Sequence, residues 1–575
     1  MLNERLKSMH FYSIENLQAK VEKKEATEPG KKEEEKREEK KEQKKKKVVK
    51  INPFQFSPLP SNAKIVETYE IEKPFARVVI AEVEERGRAI YYFVDEVKLD
   101  DKEEESYKKL VDILSKELLP PKEQTQDTKI YVLSEVDRII NKYKKFLKMS
   151  NKDSLDKIKY YVRRDLIGYG PINVMIQDPN IEDISCDGVN RPLFVWHRKY
   201  ESISTNLKII DDEALNDLVV KLAHLAGRHI STAFPIVDAM LPEKHRLAAT
   251  YGKEVSGAGS TFTIRKFREE PLSIIDLISF GTLNPRLAAY FWLIIENRLT
   301  IMVMGGTGAG KTTFLNALTN LLKPGLKIVT VEETAELNIP NENWVQFVSR
   351  SSYGLGGSKI GEVTLYDLVR TSLRYRPDYI VVGEIRGEEA FVLFQAMATG
   401  HGGLSTIHAE DLDYAVKRLT SPPMNVAPSY IPLMNVAVLV ERVILPKVGV
   451  EGVTFGRRIR RVWEILKDGT PKEIARWNPR TDEYEINVEE SEHLKNASLR
   501  SGRKENAYIF EIERRELLLK WLLKNNIRNY RNVANVIFRY YSHLEAMTRE
   551  GAKVEQKLES QLPEIELDRK EEKKA

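Results

Sequence analysis

The feature that most constrains this chain is a short apolar run, residues 300–304, that leads directly into the glycine-rich segment GGTGAGKTT. Gly305, Gly310, Lys311 and Thr312 satisfy the phosphate-loop pattern G-x4-G-K-[ST], and the helical pattern TFLNALTNLL follows. Glycines allow successive backbone amides to converge on a phosphate, while the lysine and the threonine hydroxyl suit phosphate oxygens and Mg²⁺. The helix that follows points its positive end at the same phosphates.

The sequence therefore predicts a nucleoside triphosphate site with Mg²⁺. The predicted nucleotide-binding residues are Gly305, Gly306, Thr307, Gly308, Ala309, Gly310, Lys311, Thr312 and Thr313.

The first acidic segment downstream, KIVTVEETAEL, is an apolar strand pattern that ends in Glu332, Glu333 and Glu336. Carboxylates at the end of a strand can orient an attacking water or a hydrated magnesium ion. An ordinary solvated acidic turn would have the same composition, so this segment alone leaves both interpretations open.

The second acidic segment, DYIVVGEIRGEEA, begins with a buried type of strand at Tyr379–Val382, and a glycine then lets Glu384 project from the strand end. This position suits a carboxylate that faces a metal ion, so Glu384 is the strongest single acidic candidate. Arg386 is compatible with a nucleotide role and equally with an ion pair to Glu388 or Glu389.

A third segment, TGHGGLSTIHAE, places His401 and His408 seven residues apart among glycines and small hydroxyl side chains. Its position after the Glu384 strand suits a sensor whose imidazole hydrogen bonds change when a γ-phosphate leaves. Isolated histidines are more often structural, and no further Cys or His at suitable spacing supports a zinc site.

These segments lie in an alternation of helices and strands that predicts a parallel α/β sheet with its active site at the carboxyl ends of the strands. The preceding region predicts an α+β domain. Its signals are a hairpin around the turn EERGR, two helices and three further strands. The predicted ranges are 76–83 and 89–97 for the hairpin, 129–148 and 155–166 for the helices, and 181–185, 193–197 and 261–267 for the strands.

We place the domain boundary at residues 271–276, where proline precedes a new helix-start pattern. Residues 1–50 and 551–575 are charged and predicted to be disordered tails, because they lack the apolar residues that would offset the entropy of ordering. The α+β domain would then span 51–275 and the α/β domain 276–550, with two late amphipathic helices at 514–523 and 532–546.

The amino-acid composition limits which classes of function this chain can have. Lys plus Arg is 91 and Asp plus Glu is 86, so the net charge of +5 gives no strong indication of nucleic-acid binding. The single cysteine, Cys186, excludes a disulfide within the chain. Neither a signal peptide nor a bilayer span is expected, because charges interrupt the N-terminus and the most apolar windows. The run of lysines at 44–47 could contact an acidic lipid surface.

Together the segments GGTGAGKTT, TVEETAEL, VVGEIRGEEA and TGHGGLSTIHAE resemble, in this order, the Walker A, Asp, Walker B and His boxes of the type II/IV secretion ATPase superfamily. The likeness is to its archaeal branch, the GspE-like and archaellum-motor ATPases. FGTLNPRLAAYFW before the phosphate loop and LLLKWLLKNNIRNYRNVANVI near the end support that branch.

The resemblance implies a RecA-like ATPase domain over which a smaller N-terminal domain closes on the nucleotide, in a hexameric ring. It also implies ATP and Mg²⁺ as cofactors, with Thr312 and Glu384 holding the metal. Glu336 would activate water, and His401 and His408 would belong to the sensor box. Arg246 in LPEKHRLAAT and Arg265 in TFTIRKF match the family's N-terminal-domain arginines and are candidate arginine fingers, although ordinary surface arginines would look the same.

Two departures from the family pattern matter. Glu333 stands where the family usually has Asp, so the choice among Glu332, Glu333 and Glu336 stays open. Bacterial type II relatives often hold zinc through four cysteines, which one cysteine cannot provide, so no zinc is expected.

The function that the resemblance implies is ATP hydrolysis that drives a pilus, archaellum, adhesion-filament or secretion machine. The partner would be a polytopic membrane platform protein at the inner face of the cell membrane, with the chain itself cytoplasmic. An alternative is a RecA-like nucleic-acid motor, against which the lack of a basic, aromatic-interleaved pattern argues. A nucleotide-gated scaffold without turnover is a third hypothesis, which the complete set of boxes disfavours.

Overall fold

The computed structural model describes residues 52–84, 89–118, 128–144, 146–147, 151–267, 270–350, 361–445 and 455–550. Both predicted tails and most of the predicted EERGR turn lie outside these residues. The chain divides into two compact units, here named the N-terminal unit, residues 1–267, and the C-terminal unit, residues 268–575.

The N-terminal unit is built on a mixed, mainly antiparallel sheet of ten strands. Nine follow the order β2-β3-β4-β7-β6-β5-β10-β9-β8, and β1 pairs with β7. Only β4 and β7 run parallel. The strands are β1 Phe54–Phe56, β2 Lys64–Glu72, β3 Ala76–Val83, β4 Ala89–Glu96, β5 Ile181–Cys186, β6 Pro192–His197, β7 Glu201–Ile209, β8 Ile236–Met240, β9 Arg246–Thr250 and β10 Thr261–Arg265.

The helices of this unit are α1 Asp101–Glu117, α2 Thr128–Tyr143, α3 Lys152–Val162, α4 Asn173–Gln177 and α5 Asp212–Leu225. Helix α1 begins with a capping box in which Asp100 accepts from the backbone amide of Glu103, while the Glu103 carboxylate accepts from the amide of Asp100. The first three helices enclose a small apolar core of their own, whereas one face of the sheet covers a larger core that includes Cys186.

The C-terminal unit contains one sheet of nine strands in the order β13-β12-β14-β15-β11-β16-β17-β18-β19. The pairs from β13 to β16 are parallel and the pairs from β16 to β19 are antiparallel. The strands are β11 Ile301–Gly305, β12 Ile328–Glu332, β13 Trp344–Val348, β14 Tyr379–Val382, β15 Gly402–His408, β16 Val436–Ile444, β17 Phe455–Ile465, β18 Pro471–Asn478 and β19 Glu483–Ile486.

Its helices are α6 Ile274–Ser279, α7 Pro285–Glu296, α8 Lys311–Leu318, α9 Leu365–Ser372, α10 Glu389–Ala398, α11 Leu412–Thr420, α12 Glu492–Arg500, α13 Ala507–Lys524 and α14 Tyr530–Glu550. They cover both faces of the parallel strands. In β11, Ile301 and Val303 join the core that contains α7, α8 and α13, while Met302 and Met304 join the core on the other face, with α10 and α11. A strand buried on both faces needs apolar residues at successive positions, which explains the unbroken apolar run before the phosphate loop.

The predicted fold class is confirmed: a RecA-like parallel α/β unit carries the phosphate loop and follows an α+β unit. Strand β15 lies between the phosphate-loop strand β11 and β14, the strand that precedes Glu384. The hairpin, its antiparallel register and the two late helices also agree with prediction. Strands β18 and β19 were not anticipated. Across the described ranges, every helix is too short or too polar to span a bilayer.

Candidate nucleotide site

The phosphate loop connects the fully buried strand β11 to helix α8, which begins at Lys311. Gly310 caps this helix with φ 93° and provides no side chain, so the first amides of α8 are not covered by a capping residue. The Lys311 Nζ donates to the carbonyl of Gly306 at 2.9 Å, across the loop. The strand, loop and helix therefore follow one another in the order that the phosphate-loop pattern predicts, with the first amides of α8 available to an anion.

Gly305 shows why the loop needs glycine at its first position. A Cβ there would lie 2.4 Å from the carbonyl oxygen of Val440 on β16, and the Gly305 φ is 157°. Any side chain at 305 would push the loop away from the neighbouring strand.

The carboxyl ends of four parallel strands meet at one edge of the sheet, because the registers pair Val331 of β12 with Val382 of β14 and Val382 with Ser405 of β15. Gly305 of β11 pairs with His408 of β15. Glu332, Glu384, His408 and the phosphate loop therefore project from the same edge.

Glu332 at the end of β12 is 2% exposed, and its carboxylate accepts hydrogen bonds from the loop that follows it. Its Oε1 accepts from the backbone amides of Glu336 at 2.8 Å and Leu337 at 2.7 Å, and its Oε2 accepts from Nε2 of Gln346 at 2.9 Å. Burial raises the pKa of Glu332 to about 7 despite these bonds. Of the three glutamates left open by the sequence, Glu332 shapes the loop, and the side chain of Glu336 is half-buried.

Arg386 links Glu333 of the first acidic segment with Glu384 of the second. Its guanidinium donates to Glu384 at 2.7 Å and to Glu333 at 3.3 Å. Glu389, a predicted ion-pair partner, accepts instead from the backbone amide of Arg386 at 2.6 Å. Glu333 and Glu384 thus share one cation beside the strand ends.

The predicted metal pair, Thr312 and Glu384, consists of a hydroxyl in the first turn of α8 and a carboxylate just after β14. Within the described residues, no group of three His, Cys, Asp or Glu side chains is placed to hold a metal ion. Mg²⁺ commonly takes one or two protein oxygens and completes its shell with phosphates and water, so this oxygen donor set fits Mg²⁺.

The two histidines of the third segment are not brought together. His408 ends β15 beside the phosphate-loop strand, and its carbonyl accepts from Nη1 of Arg418 at 2.6 Å. His401 precedes β15 at its other end, where Nδ1 lies 3.0 Å from the Thr399 hydroxyl and 3.0 Å from the Ala396 carbonyl at the end of α10. The length of the strand, roughly 20 Å, separates them.

The candidate arginine fingers lie opposite each other on adjacent strands of the N-terminal unit, since Arg265 of β10 is in register with Arg246 of β9. Arg246 forms a two-bond ion pair with Asp238, at 3.0 and 2.6 Å, and remains 41% exposed. Arg265 is exposed. The strand pattern brings the two side chains to one face of the sheet.

Arg457 on β17 was missed by sequence reasoning. Its Nε donates to the carbonyl of Gly308 at 3.2 Å, and its Cδ lies 2.9 Å from where a Cβ on Gly310 would be. The only sequence signal is the arginine-rich run GRRIRR, which has no motif spacing to the phosphate loop. Its place at the loop results from the pairing of β17 with β16, which itself pairs with β11.

The chain is similar in sequence to members of a known family and to several individual proteins. A family model described as type II/IV secretion system protein matches residues 167–447. The protein MJ0900 of Methanocaldococcus jannaschii is 35% identical over 389 residues, 67% of this chain and 70% of that protein. A putative conjugal transfer protein of Mycobacterium tuberculosis is 35% identical over 258 residues, 44% of this chain and 71% of that protein.

Among solved structures, the X-ray structure of the Legionella pneumophila ATPase DotB is 16% identical and aligns with 70% of this chain and 90% of that chain, at a TM-score of 0.37. The relative from M. jannaschii, an archaeon, fits the archaeal branch to which the late sequence segments pointed.

Proposed function

This chain belongs to the type II/IV secretion system protein family, and on that premise we propose that it hydrolyses ATP with Mg²⁺ to drive a filament-assembly or secretion machine. The observation that carries the proposal is the single sheet edge at which the phosphate loop, Glu332, Glu384 and His408 meet. Phosphoryl transfer depends mainly on positioning and charge stabilisation, and this edge provides the groups for both.

In the proposed reaction, the amides of the loop and the first turn of α8 bind the β- and γ-phosphates, and Lys311 leaves the Gly306 carbonyl to pair with them. Thr312 and Glu384 would hold Mg²⁺, which would supply positive charge against the phosphate oxygens. Glu336 accepts a proton from the attacking water, because Glu332 is already engaged with backbone amides and Glu333 with Arg386. His408 would report the loss of the γ-phosphate.

The finer parts of the proposal come from the family. Arg246 and Arg265 would act as arginine fingers, which requires the Arg246–Asp238 ion pair to open, within a hexameric ring whose N-terminal units close over the nucleotide. The ring would work at the inner face of the cell membrane with a polytopic platform protein. The similarity to a putative conjugal transfer protein supports a role in a transfer or secretion machine.

The test is steady-state ATP hydrolysis with Mg²⁺, with the oligomeric state measured alongside. We expect turnover in the wild type and a loss of about three orders of magnitude, or about 4 kcal/mol of transition-state stabilisation, in Lys311→Ala and Glu336→Gln. Glu333→Gln is the matched control on the same loop and should retain most of the activity.

A fully active Glu336→Gln variant would assign the chemistry to another carboxylate. Turnover that depends on single-stranded DNA would favour the nucleic-acid motor, and an inactive wild type with Lys311→Ala tolerated in cells would favour the scaffold.

A further inference from the structure

The first residue of the C-terminal helix α14, Tyr530, reaches the loop that follows β12. Tyr530 is buried, at 4% exposure. Its hydroxyl lies 2.8 Å from the hydroxyl of Thr319, just after helix α8, and donates to the carbonyl of Asn338. The Tyr530 carbonyl accepts from Nδ2 of Asn320 at 3.2 Å. One side chain thus connects the chain's last described helix, the phosphate-loop helix and the Glu336 loop.

The Glu336 loop is held at two adjacent points, residues 336–337 and residue 338. On one side, the Glu332 carboxylate accepts from the amides of Glu336 and Leu337. On the other, the amide of Asn338 donates to Oδ1 of Asn316 on α8 at 2.9 Å, and its carbonyl accepts from Tyr530. The backbone that carries Glu336 is therefore fixed from both directions.

Tyr530 provides one of the two hydrogen bonds at Asn338, the one to its carbonyl. The Thr319 hydroxyl has one hydrogen, and the carbonyl of Asn316 lies 2.6 Å away as its acceptor. The Asn338 carbonyl then depends on the Tyr530 hydroxyl for its hydrogen bond. Removing that hydroxyl takes the donor from a partly buried carbonyl, and we expect the loop to shift as a result.

We propose that Tyr530 is a positioning residue that sets the placement of Glu336 relative to the phosphate-loop helix, so that the C-terminal helix α14 takes part in tuning hydrolysis. This inference rests on the proposed function, in which Glu336 acts on the attacking water. A displacement of α14 would loosen the Asn338 anchor and slow turnover without altering the phosphate loop itself.

Tyr541 provides a matched control on the same helix. It is equally buried, accepts from Nε1 of Trp292 at 2.7 Å and contacts Glu296 at 3.3 Å. Both partners belong to helix α7, away from the Glu336 loop. Tyr541→Phe therefore removes a buried hydroxyl from α14 without touching the second anchor of that loop.

The experiment compares Tyr530→Phe and Tyr541→Phe in the full chain. We expect Tyr530→Phe to lower kcat about tenfold with KM for ATP unchanged, and Tyr541→Phe to leave kcat within about twofold even if both lower the melting temperature. In the Glu336→Gln background, Tyr530→Phe should lower kcat no further, because the two residues act through one group. Amide hydrogen exchange at 336–338 should accelerate in Tyr530→Phe and not in Tyr541→Phe.

Unchanged exchange at 336–338 in Tyr530→Phe, or unchanged kcat with faster exchange, overturns the inference. Equal losses of kcat in both tyrosine variants would also overturn it, by showing a general loss of packing. Failure of the proposed function is separate: an inactive wild type or a fully active Glu336→Gln variant refutes that function, whereas the exchange result is independent of turnover.

Discussion

Two carboxylates of the C-terminal sheet, Glu332 in its parallel half and Asp482 in its antiparallel half, are stabilised in opposite ways. In the parallel half, Glu332 is buried, none of the described Lys or Arg side chains pairs with it, and burial raises its pKa to about 7. In the antiparallel half, Asp482 accepts two bonds from the buried Arg458, at 2.7 and 2.8 Å, and those bonds lower the pKa of Asp482.

The difference separates a functional edge from a structural one. A carboxylate that is stabilised only by backbone amides and a glutamine amide costs folding energy, and such perturbed groups concentrate at functional sites. Glu332 organises the loop that carries Glu336, whereas Arg458 and Asp482 close an ordinary strand connection by an ion pair. The loop after β12 therefore tolerates a buried carboxylate without a cation, whereas the connection between β18 and β19 holds its carboxylate in an ion pair.

The largest expected effect is on the pH dependence of stability, through Glu332→Gln. The pKa of Glu332 in the folded chain is raised above its ordinary value of 4.5, to about 7. The raised pKa contributes at most about 3 kcal/mol to the free energy of unfolding. This contribution is complete below pH 4.5 and is lost as the pH rises through about 7. The melting temperature of the wild type should therefore fall relative to that of Glu332→Gln between pH 5 and 8.

Calorimetric scans at several pH values provide this comparison, and Glu333→Gln on the same loop should keep the wild-type pH dependence. If the melting temperatures of wild type and Glu332→Gln changed in parallel with pH, Glu332 would be charged in the folded chain at all these pH values.

A smaller effect is expected from breaking the ion pair in the antiparallel half with Asp482→Asn. The substitution leaves Arg458 buried without its anionic partner, and we expect a loss of about 2 kcal/mol, since Asp482 itself is partly exposed. The sign with pH is opposite to that of Glu332. The lowered pKa makes this contribution full above the ordinary value of 3.8 and lost as the pH falls through the folded value.

Thermal unfolding near pH 7 and below pH 4 measures this contribution. Asp468→Asn serves as the control, because Asp468 is exposed and bonds to Thr470 within its own turn. An Asp482→Asn variant as stable as the wild type would show that the Arg458–Asp482 ion pair does not stabilise the fold.

The smallest expected effect is on ADP affinity, and it shows whether the antiparallel half contributes to the nucleotide site. Arg457→Ala removes a guanidinium that touches the Gly308 carbonyl, and we expect ADP to bind about tenfold more weakly, since one charge-assisted contact near the phosphates is lost. Arg460→Ala is the control: Arg460 lies on the same strand, over the ring of Trp477 and near Glu441. Titration calorimetry with ADP distinguishes the two variants, and equal affinities would confine nucleotide binding to the parallel half.

Local sequence patterns predicted much of the fold. The residues of β11 and β14 are apolar at successive positions, and in β12 Thr330 and the final Glu332 are the exceptions, so strands buried on both faces could be predicted. The phosphate loop then indicated the candidate edge of the sheet. Strand β19 was missed because its burial alternates and the charged Glu483 and Glu485 are exposed, and β18 was missed because charged residues such as Lys472 and Arg476 interrupt its apolar positions. Alternating patterns of this kind are weak signals without knowledge of the neighbouring strand.

The sequence by itself determined the phosphate loop, the order of the acidic segments and the α/β class, because each of these depends on residues close together in the chain. Only the tertiary structure decided which glutamate shapes the loop, that His401 and His408 lie at opposite ends of β15, and that Arg457 and Tyr530 reach the site. The first two depend on the local conformation of the loop after β12 and of β15. The contacts of Arg457 and Tyr530 depend on strand order and helix packing, which bring together residues up to about two hundred positions apart, as in the contact of Tyr530 with Asn338.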